Sequence, residues 1–237
     1  MKHIAIVMAA GSGTRLGGDM PKQYRLLNGK PVIYYSLKCI DESFIDEIIL
    51  VTRHEDISYC EELIRQFGLK KPLRIIAGGN ERYESVYEGL KAVDADDETY
   101  VYIQDGARPF LNKEILERSR EDAIKYGASV TAVRSKDTVK ITNGEMGVKF
   151  TPNRADVYLA QTPQTFKYEI IKSSYDSLFK SIADTKAPEI TDDAQVCELF
   201  SNVTVHLTEG SYSNIKITTS EDFETAEKFL SSGTIFC

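Results

Sequence analysis

Residues 4–23 read IAIVMAAGSGTRLGGDMPKQ. Ile4 to Ala9 is a short apolar run without polar alternation, the pattern of a strand covered on both faces. It leads into Gly11-Ser12-Gly13, where glycines permit tight turns through which successive backbone N–H groups can surround phosphate oxygens. A buried strand followed by such a loop points to the α/β class, in which ligands bind beyond the carboxyl ends of the parallel strands. One lysine, a short apolar run and small residues also open a secretory leader, but a run this short reads as a strand.

Outward from that strand the alternation continues. Short β-branched runs at Glu47–Thr52, Leu73–Ala77, Tyr100–Gln104, Ala128–Val133 and Val203–Leu207 predict further strands. Between them, Glu55–Phe67, Arg82–Val93, Lys113–Tyr126 and Ser220–Leu230 carry apolar residues at three- and four-residue spacing and predict helices. The expected fold is an open, mostly parallel Rossmann-like sheet with helices on both faces. One segment breaks the rhythm: Ser135–Ile141, the turn Asn143-Gly144 and Gly147–Phe150 read as a β-hairpin arm, spanning about residues 134–158. No repeat, low-complexity tract or linker divides the 237 residues, so a single domain is expected.

The formal charge of −7 argues against a nucleic-acid ligand, which requires a broad basic face. No apolar run is long enough to cross a bilayer. The four cysteines lack CxxC spacing, and Cys39, Cys60 and Cys197 sit among apolar residues, where a free thiol packs as a small hydrophobe. Those features lead to the expectation of a cytoplasmic protein.

Chemistry concentrates at the predicted strand ends. A dinucleotide fingerprint fails, because its third glycine would fall at Leu16 and no acidic residue closes the second strand at Thr52. A P-loop fails because no Gly-Lys-Ser/Thr follows. What remains is a glycine loop with two cations, Arg15 and Lys22, suited to a phosphate chain. Asp105-Gly106-Ala107-Arg108-Pro109 sets a carboxylate and a guanidinium at another strand end. Asp105 could serve a ribose hydroxyl or a divalent cation bridging phosphates, or simply pair with Arg108. Thr191 has an alternative reading as a helix N-cap followed by two aspartates, and Lys216 one as a solvated charge. His3, His54 and His206 show neither triad nor metal-ligand spacing.

Taken in order, AAGSGTRLG with PKQY, GGNERYESVYEGL, DGARPF, KDTVK, QTPQTF, TDD and NIKITT resemble the 2-C-methyl-D-erythritol 4-phosphate cytidylyltransferases of the non-mevalonate isoprenoid pathway. The resemblance runs from Ile4 to the helix after Thr219. It implies transfer of CMP from CTP to the sugar phosphate with release of pyrophosphate, aided by Mg²⁺ or another divalent cation. It implies that Ala9, Ala10, Gly11, Ser12, Gly13 and Thr14 hold CTP, that Arg15 and Lys22 flank the reacting phosphorus, and that Gly79, Asn80 and Ser85 lie by the cytosine. Asp105, Gly106, Arg108, Thr138, Thr191 and Lys216 are implied near the ribose, the metal-bound phosphates and the acceptor. Arg154 and Thr162 match positions supplied by the partner subunit's arm, which implies a homodimer; Arg15, Lys22, Arg154 and Lys216 form the implied catalytic set.

The chain departs from that family at Asn80, where Asp is usual, at Gln104, where His is usual, and at Arg134-Ser135, where Pro-Val is typical. Ribitol 5-phosphate cytidylyltransferases share most of the blocks, so ribitol 5-phosphate stays as the second acceptor, and a non-catalytic nucleotide-binding module as the alternative of another class. A phosphate monoester is largely dianionic at neutral pH and attacks without a general base, which accounts for the lack of an evident nucleophile.

Overall fold

A computed structural model describes residues 1–11, 20–184 and 189–233. β1 (Lys2–Met8) is followed by a 3-10 turn at Lys22–Tyr24, the short strands β2 (Leu26–Leu27) and β3 (Lys30–Pro31), and α1 (Val32–Asp41). Then come β4 (Glu47–Thr52), α2 (Ile57–Phe67), β5 (Leu73–Ala77), α3 (Arg82–Lys91), β6 (Thr99–Asp105), α4 (Lys113–Tyr126) and β7 (Ala128–Arg134). The arm carries β8 (Ile141–Thr142) and β9 (Val148–Phe150); the chain returns through β10 (Tyr158–Lys167), α5 (Tyr168–Asp184), α6 (Asp193–Phe200), β11 (His206–Glu209) and α7 (Ser220–Ser231).

Seven strands form one sheet in the order β11-β7-β10-β6-β1-β4-β5. Every pairing is parallel except those of β10, which runs antiparallel to both β6 and β7. Alternate residues of the central strands face opposite layers, as the two-residue period of a strand requires. Ala5, Val7, Ile48, Leu50 and Tyr102 pack with Leu37, Ile40, Cys60 and Leu116, drawn from α1, α2 and α4. Ile4, Ile6, Ile49, Val51, Val101 and Ile103 pack on the other face with Val86, Leu90, Tyr175 and Val196, drawn from α3, α5 and α6. Both faces being covered explains the unbroken apolar runs. A third cluster, Leu27, Val32, Phe110, Ile217, Ala226 and Leu230, seats α7 beside β2 and α1.

β10 was legible only as a motif, and its proline is the reason. Pro163 lacks a donor and argues against a central strand, but the pairing with β7 is irregular between Ala160 and Gln164, so the ladder passes around it. The last strand also lies later than expected, at His206–Glu209 instead of Val203–Leu207. At α6 the cap is Asp192, whose side chain accepts from Gln195 N–H at 2.9 Å. Thr191 is not the cap, because its hydroxyl donates to Gln195 Oε1 at 2.9 Å.

The arm forms at the expected place with shorter strands. Asn143 Oδ1 accepts from the Glu145 and Gly147 N–H groups, both at 3.1 Å, and Gly144 takes the left-handed φ of +92° that the turn needs. Cys60 and Cys197 are buried free thiols. Cys39, also buried, is disulfide-bonded, against the free-thiol expectation. Among the described residues no helix is long and apolar enough to cross a membrane.

α7 is held at its start by a reciprocal capping box: the Thr219 hydroxyl accepts from Asp222 N–H, and Asp222 Oδ2 accepts from Thr219 N–H at 2.9 Å. Thr219→Ala is expected to cost about 1 kcal/mol, which corresponds to a Tm lower by about 2–4 °C for a domain of this size. Thermal denaturation followed by circular dichroism checks this.

Candidate functional site

Sheet register brings the chemistry to one edge. Met8 at the end of β1 is level with Val51 of β4 and with Asp105 of β6, and Thr52 is level with Ala77 of β5. The segments leaving these strands therefore emerge side by side, at the carboxyl edge where open α/β sheets bind ligands. They surround a cavity of about 560 Å³ lined by Ala9, Ala10, Gly11, Lys22, Gln23, Gly79, Asn80, Arg82, Ser85, Asp105 and Lys216, with others.

The floor is a strap from the Pro-Lys-Gln-Tyr turn. Gln23 is buried, and its amide donates to Ala9 O at 2.5 Å and to Gly11 O at 3.1 Å, pinning the start of the glycine loop. Tyr24 is buried beside it, with its hydroxyl 2.6 Å from Thr52 Oγ1 and 3.1 Å from Cys60 Sγ. Burial pushes that hydroxyl far above the usual tyrosine range, so it stays a neutral anchor for the turn carrying Lys22.

One wall is backbone. Glu84 Oε2 accepts from the N–H groups of Asn80 at 2.7 Å and Glu81 at 3.1 Å, while Ser85 Oγ accepts from Gly79 N–H at 3.1 Å and donates to Gly79 O at 3.2 Å. A Cβ at Gly79 would fall 2.4 Å from Glu84 Cβ, so this close wrap over the start of α3 requires glycine. These bonds are made within the wall and fix its shape, so that a rigid backbone surface lines this side of the cavity.

Asp105 forms the opposite side. Its Oδ2 is 2.9 Å from Lys216 Nζ and 3.6 Å from Arg108 Nε, and its Oδ1 is 3.8 Å from Arg82 Nη2. Burial alone would raise the pKa of this carboxyl, but Lys216, then Arg82 and Arg108, outweigh it and hold the group well below the usual carboxylate range. Asp105 is ionised at any physiological pH. Arg108 is itself buried, which lowers its pKa against the pull of Asp105; its Nη1 donates to Asn214 O at 2.7 Å.

A second, smaller cavity of about 250 Å³ lies beyond Asp105, lined by Arg82, Asp105, Arg108, Ala160, Gln161, Thr162, Gln164, Thr191, Asp192 and Lys216. The two cavities share Arg82, Asp105 and Lys216 and so meet at that cluster. Of the residues singled out in the sequence, Ala9, Ala10, Gly11, Lys22, Gly79, Asn80 and Ser85 line the larger cavity; Arg108, Thr162 and Thr191 line the smaller; Asp105 and Lys216 line both. Gly106 lies under the junction, its N–H donating to Met8 O at 2.9 Å. Ser12, Gly13, Thr14 and Arg15 lie outside the described residues.

Thr162 corrects an expectation. It was assigned to a partner's arm, yet it lies on β10 in the middle of its own sheet, where its hydroxyl accepts from Asp105 N–H at 3.1 Å. The register of β10 beside β6 places it there. Thr138 and Arg154 line neither cavity of their own chain; both are exposed on the arm, and Arg154 Nη1 donates to Lys136 O at 3.2 Å. Four residues escaped the sequence reading: Arg82, Gln23, Gln164 and Asp193. Arg82 carried a usable signal, since a cation in the first turn of a helix opposes the dipole and calls for a specific partner.

A carboxylate-anchored cation cluster at the carboxyl edge of an α/β sheet, beside a rigid backbone wall and joined to a second polar cavity, fits a nucleotidyltransferase. The model of the IspD family, 2-C-methyl-D-erythritol 4-phosphate cytidylyltransferase, matches residues 3–232, and the chain belongs to that family. A relative of that name from Lachnospira eligens is 44% identical over 229 residues, covering 96% of this chain and 99% of its own. The solved 4-diphosphocytidyl-2C-methyl-D-erythritol synthase of Anaerococcus prevotii superposes with a TM-score of 0.85 at 36% identity, covering 97% of this chain and 96% of its own. The 2-C-methyl-D-erythritol 4-phosphate cytidylyltransferase of Francisella tularensis does so with a TM-score of 0.78 at 30% identity, covering 96% and 99%.

The strap makes a direct prediction. Gln23→Ala removes two hydrogen bonds that set the loop entrance, one buried and one partly buried, at about 0.5–1.5 kcal/mol of net interaction each in stability. If about one such bond's worth is felt by a bound nucleotide, its affinity falls about tenfold. Calorimetry with CTP as the probe measures this; unchanged affinity would show that the loop holds its shape without Gln23.

Proposed function

We propose that this chain transfers the cytidylyl group of CTP to 2-C-methyl-D-erythritol 4-phosphate and releases pyrophosphate. Family membership over residues 3–232 supports the reaction. The observation that carries it in the structure is the junction of the two cavities at Asp105, Lys216 and Arg82. A nucleotide in the larger cavity and a sugar phosphate in the smaller would meet there.

Chemistry then needs alignment and charge. An oxygen of the acceptor phosphate attacks the α-phosphorus of CTP in line, forming the new P–O bond, while the bond to the bridging oxygen breaks and its electron pair leaves with pyrophosphate. No proton is removed from the attacking phosphate. Lys22 supplies positive charge to the pentacoordinate centre, with Arg15 assigned the same role from its place in the sequence. Lys216 sits between acceptor and nucleotide, where it can orient both. Gly79, Asn80 and Ser85 present the edge that reads the cytosine.

Mg²⁺ is the expected cofactor, and the donor set suits its usual mode of one or two carboxylates plus substrate phosphates. Among the described residues no three acidic, histidine or cysteine side chains cluster to bind a metal unaided. Asp105 is the carboxylate that would hold it, because its Oδ1 has Arg82 at 3.8 Å, beyond hydrogen-bond reach. Bound there with the triphosphate, the ion would neutralise charge on the departing pyrophosphate.

The arm supports assembly as a homodimer. Its paired strands are only two and three residues long, and Ile141, Met146, Val148 and Phe150 are 39–90% exposed. A ribbon this small is marginal alone and needs a surface to cover it. With Thr138 and Arg154 on the arm, a two-fold exchange would bring both to the smaller cavity of the other subunit.

The acceptor is tested by comparing kcat/KM for 2-C-methyl-D-erythritol 4-phosphate and ribitol 5-phosphate, followed by pyrophosphate release. Strong preference for the first is expected, and preference for the second would overturn the assignment. The arm is tested by subunit complementation. Lys22→Ala is expected to lower kcat by about two to three orders of magnitude, and Arg154→Ala to be similarly impaired. Mixed dimers would contain one doubly altered site and one intact site. After random exchange of equal amounts, about a quarter of wild-type activity should return; a mixture as inactive as its parents after proven exchange would place Arg154 in its own subunit.

A further inference from the structure

Arg82 stands at the shared wall of both cavities. It is the first residue of α3, where a cation meets the unfavourable end of the helix dipole. Its side chain is only about one-third exposed. A guanidinium kept in so costly a place implies firm compensation, and Asp193 supplies it: Arg82 Nη1 and Nη2 donate to the two carboxylate oxygens at 2.9 and 2.7 Å.

Asp193 is in turn fixed from every side. It is fully buried, and the Tyr175 hydroxyl of α5 donates to its Oδ1 at 2.6 Å. Its backbone N–H and that of Ala194 donate to Gln164 Oε1 at 3.0 and 2.8 Å, and Gln164 Nε2 donates to Asp192 Oδ2 at 3.0 Å. These bonds lock three segments together: α3, which continues the Gly79–Glu81 wall; α6, which continues the Thr191-Asp192 wall; and β10, which carries Thr162. Lys216 and Arg108 approach Asp105 from loops, whereas Arg82 approaches it from a helix and is clamped by a buried partner.

Resting on the function proposed above, we infer that Arg82 is a positioning residue: clamped by Asp193, it holds its positive charge 3.8 Å from Asp105 Oδ1 and ties the acceptor wall to the nucleotide wall, so that the two substrates line up at the junction. The competing reading is a buried ion pair that contributes only to folding. The two differ in what a folded variant does. Lysine keeps the charge but cannot make the paired bonds of a guanidinium.

Arg82→Lys, Tyr175→Phe and Asp193→Asn are compared with the wild-type protein by steady-state kinetics with CTP and 2-C-methyl-D-erythritol 4-phosphate, CTP calorimetry and thermal denaturation. Concentrations are normalised to CTP-binding stoichiometry. Wild-type turnover tests the proposed reaction; if it occurs with ribitol 5-phosphate instead, the same comparison is read with that acceptor. Misalignment of reacting groups by about an ångström costs about 100-fold in rate. Arg82→Lys is therefore expected to lose about 100-fold in kcat, with a raised acceptor KM and a CTP Kd within about threefold of wild type. Tyr175→Phe, which touches neither cavity, should lose about threefold to tenfold in kcat by loosening Asp193. The combined Arg82→Lys, Asp193→Asn variant should be no worse than its more impaired parent, as members of one unit behave. Normal kcat and KM in folded Arg82→Lys or Tyr175→Phe, with only Tm lowered, would overturn the inference. Additive losses in the combined variant would overturn it as well.

Discussion

The structure turns on a carboxylate that is buried and still charged. Asp105 ends a strand of which every residue is buried, the kind of place where an isolated carboxylate would be protonated or excluded. It is ionised because Lys216, Arg82 and Arg108 converge on it from three separate segments. Removal of a single partner from a buried ion cluster is more damaging than its net contribution suggests, since the others are left uncompensated. The segment before α7, the start of α3 and the turn after β6 are therefore bound to one point.

That point can exist because of the sheet. Asp105 is level with Met8 only in one register of β6 against β1, and Ala9 is tied to Val51, as Gly78 is to Thr52, by backbone bonds of 2.7 Å. A one-residue slip would turn every apolar side chain of a doubly covered strand into the wrong layer. Core packing thus sets the register, and the register sets the distance between the glycine turn and the carboxylate. The site inherits its precision from residues such as Ile6, Val101 and Ile103, which line neither cavity.

Much of this was legible in the sequence. Parallel strands announce themselves as apolar runs, and β4, β5 and α4 fell at their expected bounds because each is delimited by strong local signals. The carboxylate and two of its partners in the cluster, Arg108 and Lys216, were visible as charges at expected strand ends. β10 was not, because a proline inside a central strand is acceptable only where the ladder bulges around it, here with Gln161, Thr162 and Pro163 of β10 set against Thr131 alone of β7, a register that the pairing decides and no local pattern announces. Arg82 was missed for a related reason. Its meaning comes from Asp193, 111 residues away, and no local pattern encodes a partner at that range. Thr162 was given to the wrong subunit because a motif carries a residue's role without the strand register that decides whose cavity it enters.

The arrangement of charge at the junction, and not its sum, bears on how an acidic chain can hold highly anionic substrates. A net charge of −7 repels phosphates at long range, but screening confines that field to about 8–10 Å at physiological ionic strength. Near the junction Arg82, Arg108 and Lys216 stand against Asp105, Asp192 and Asp193, so the cations are gathered at one place without a net excess, and Lys22 lines the larger cavity. Asp105 allows those cations to be packed close together before any phosphate is present, because each repulsion between them is offset by attraction to the same carboxylate. A phosphate entering the junction then meets donors already held in place, which is the condition under which electrostatic stabilisation costs no reorganisation at the moment of reaction. The carboxylate is in this sense the template on which a phosphate site is assembled, and the ion pairs that fold the protein are the same ones that prepare it to bind.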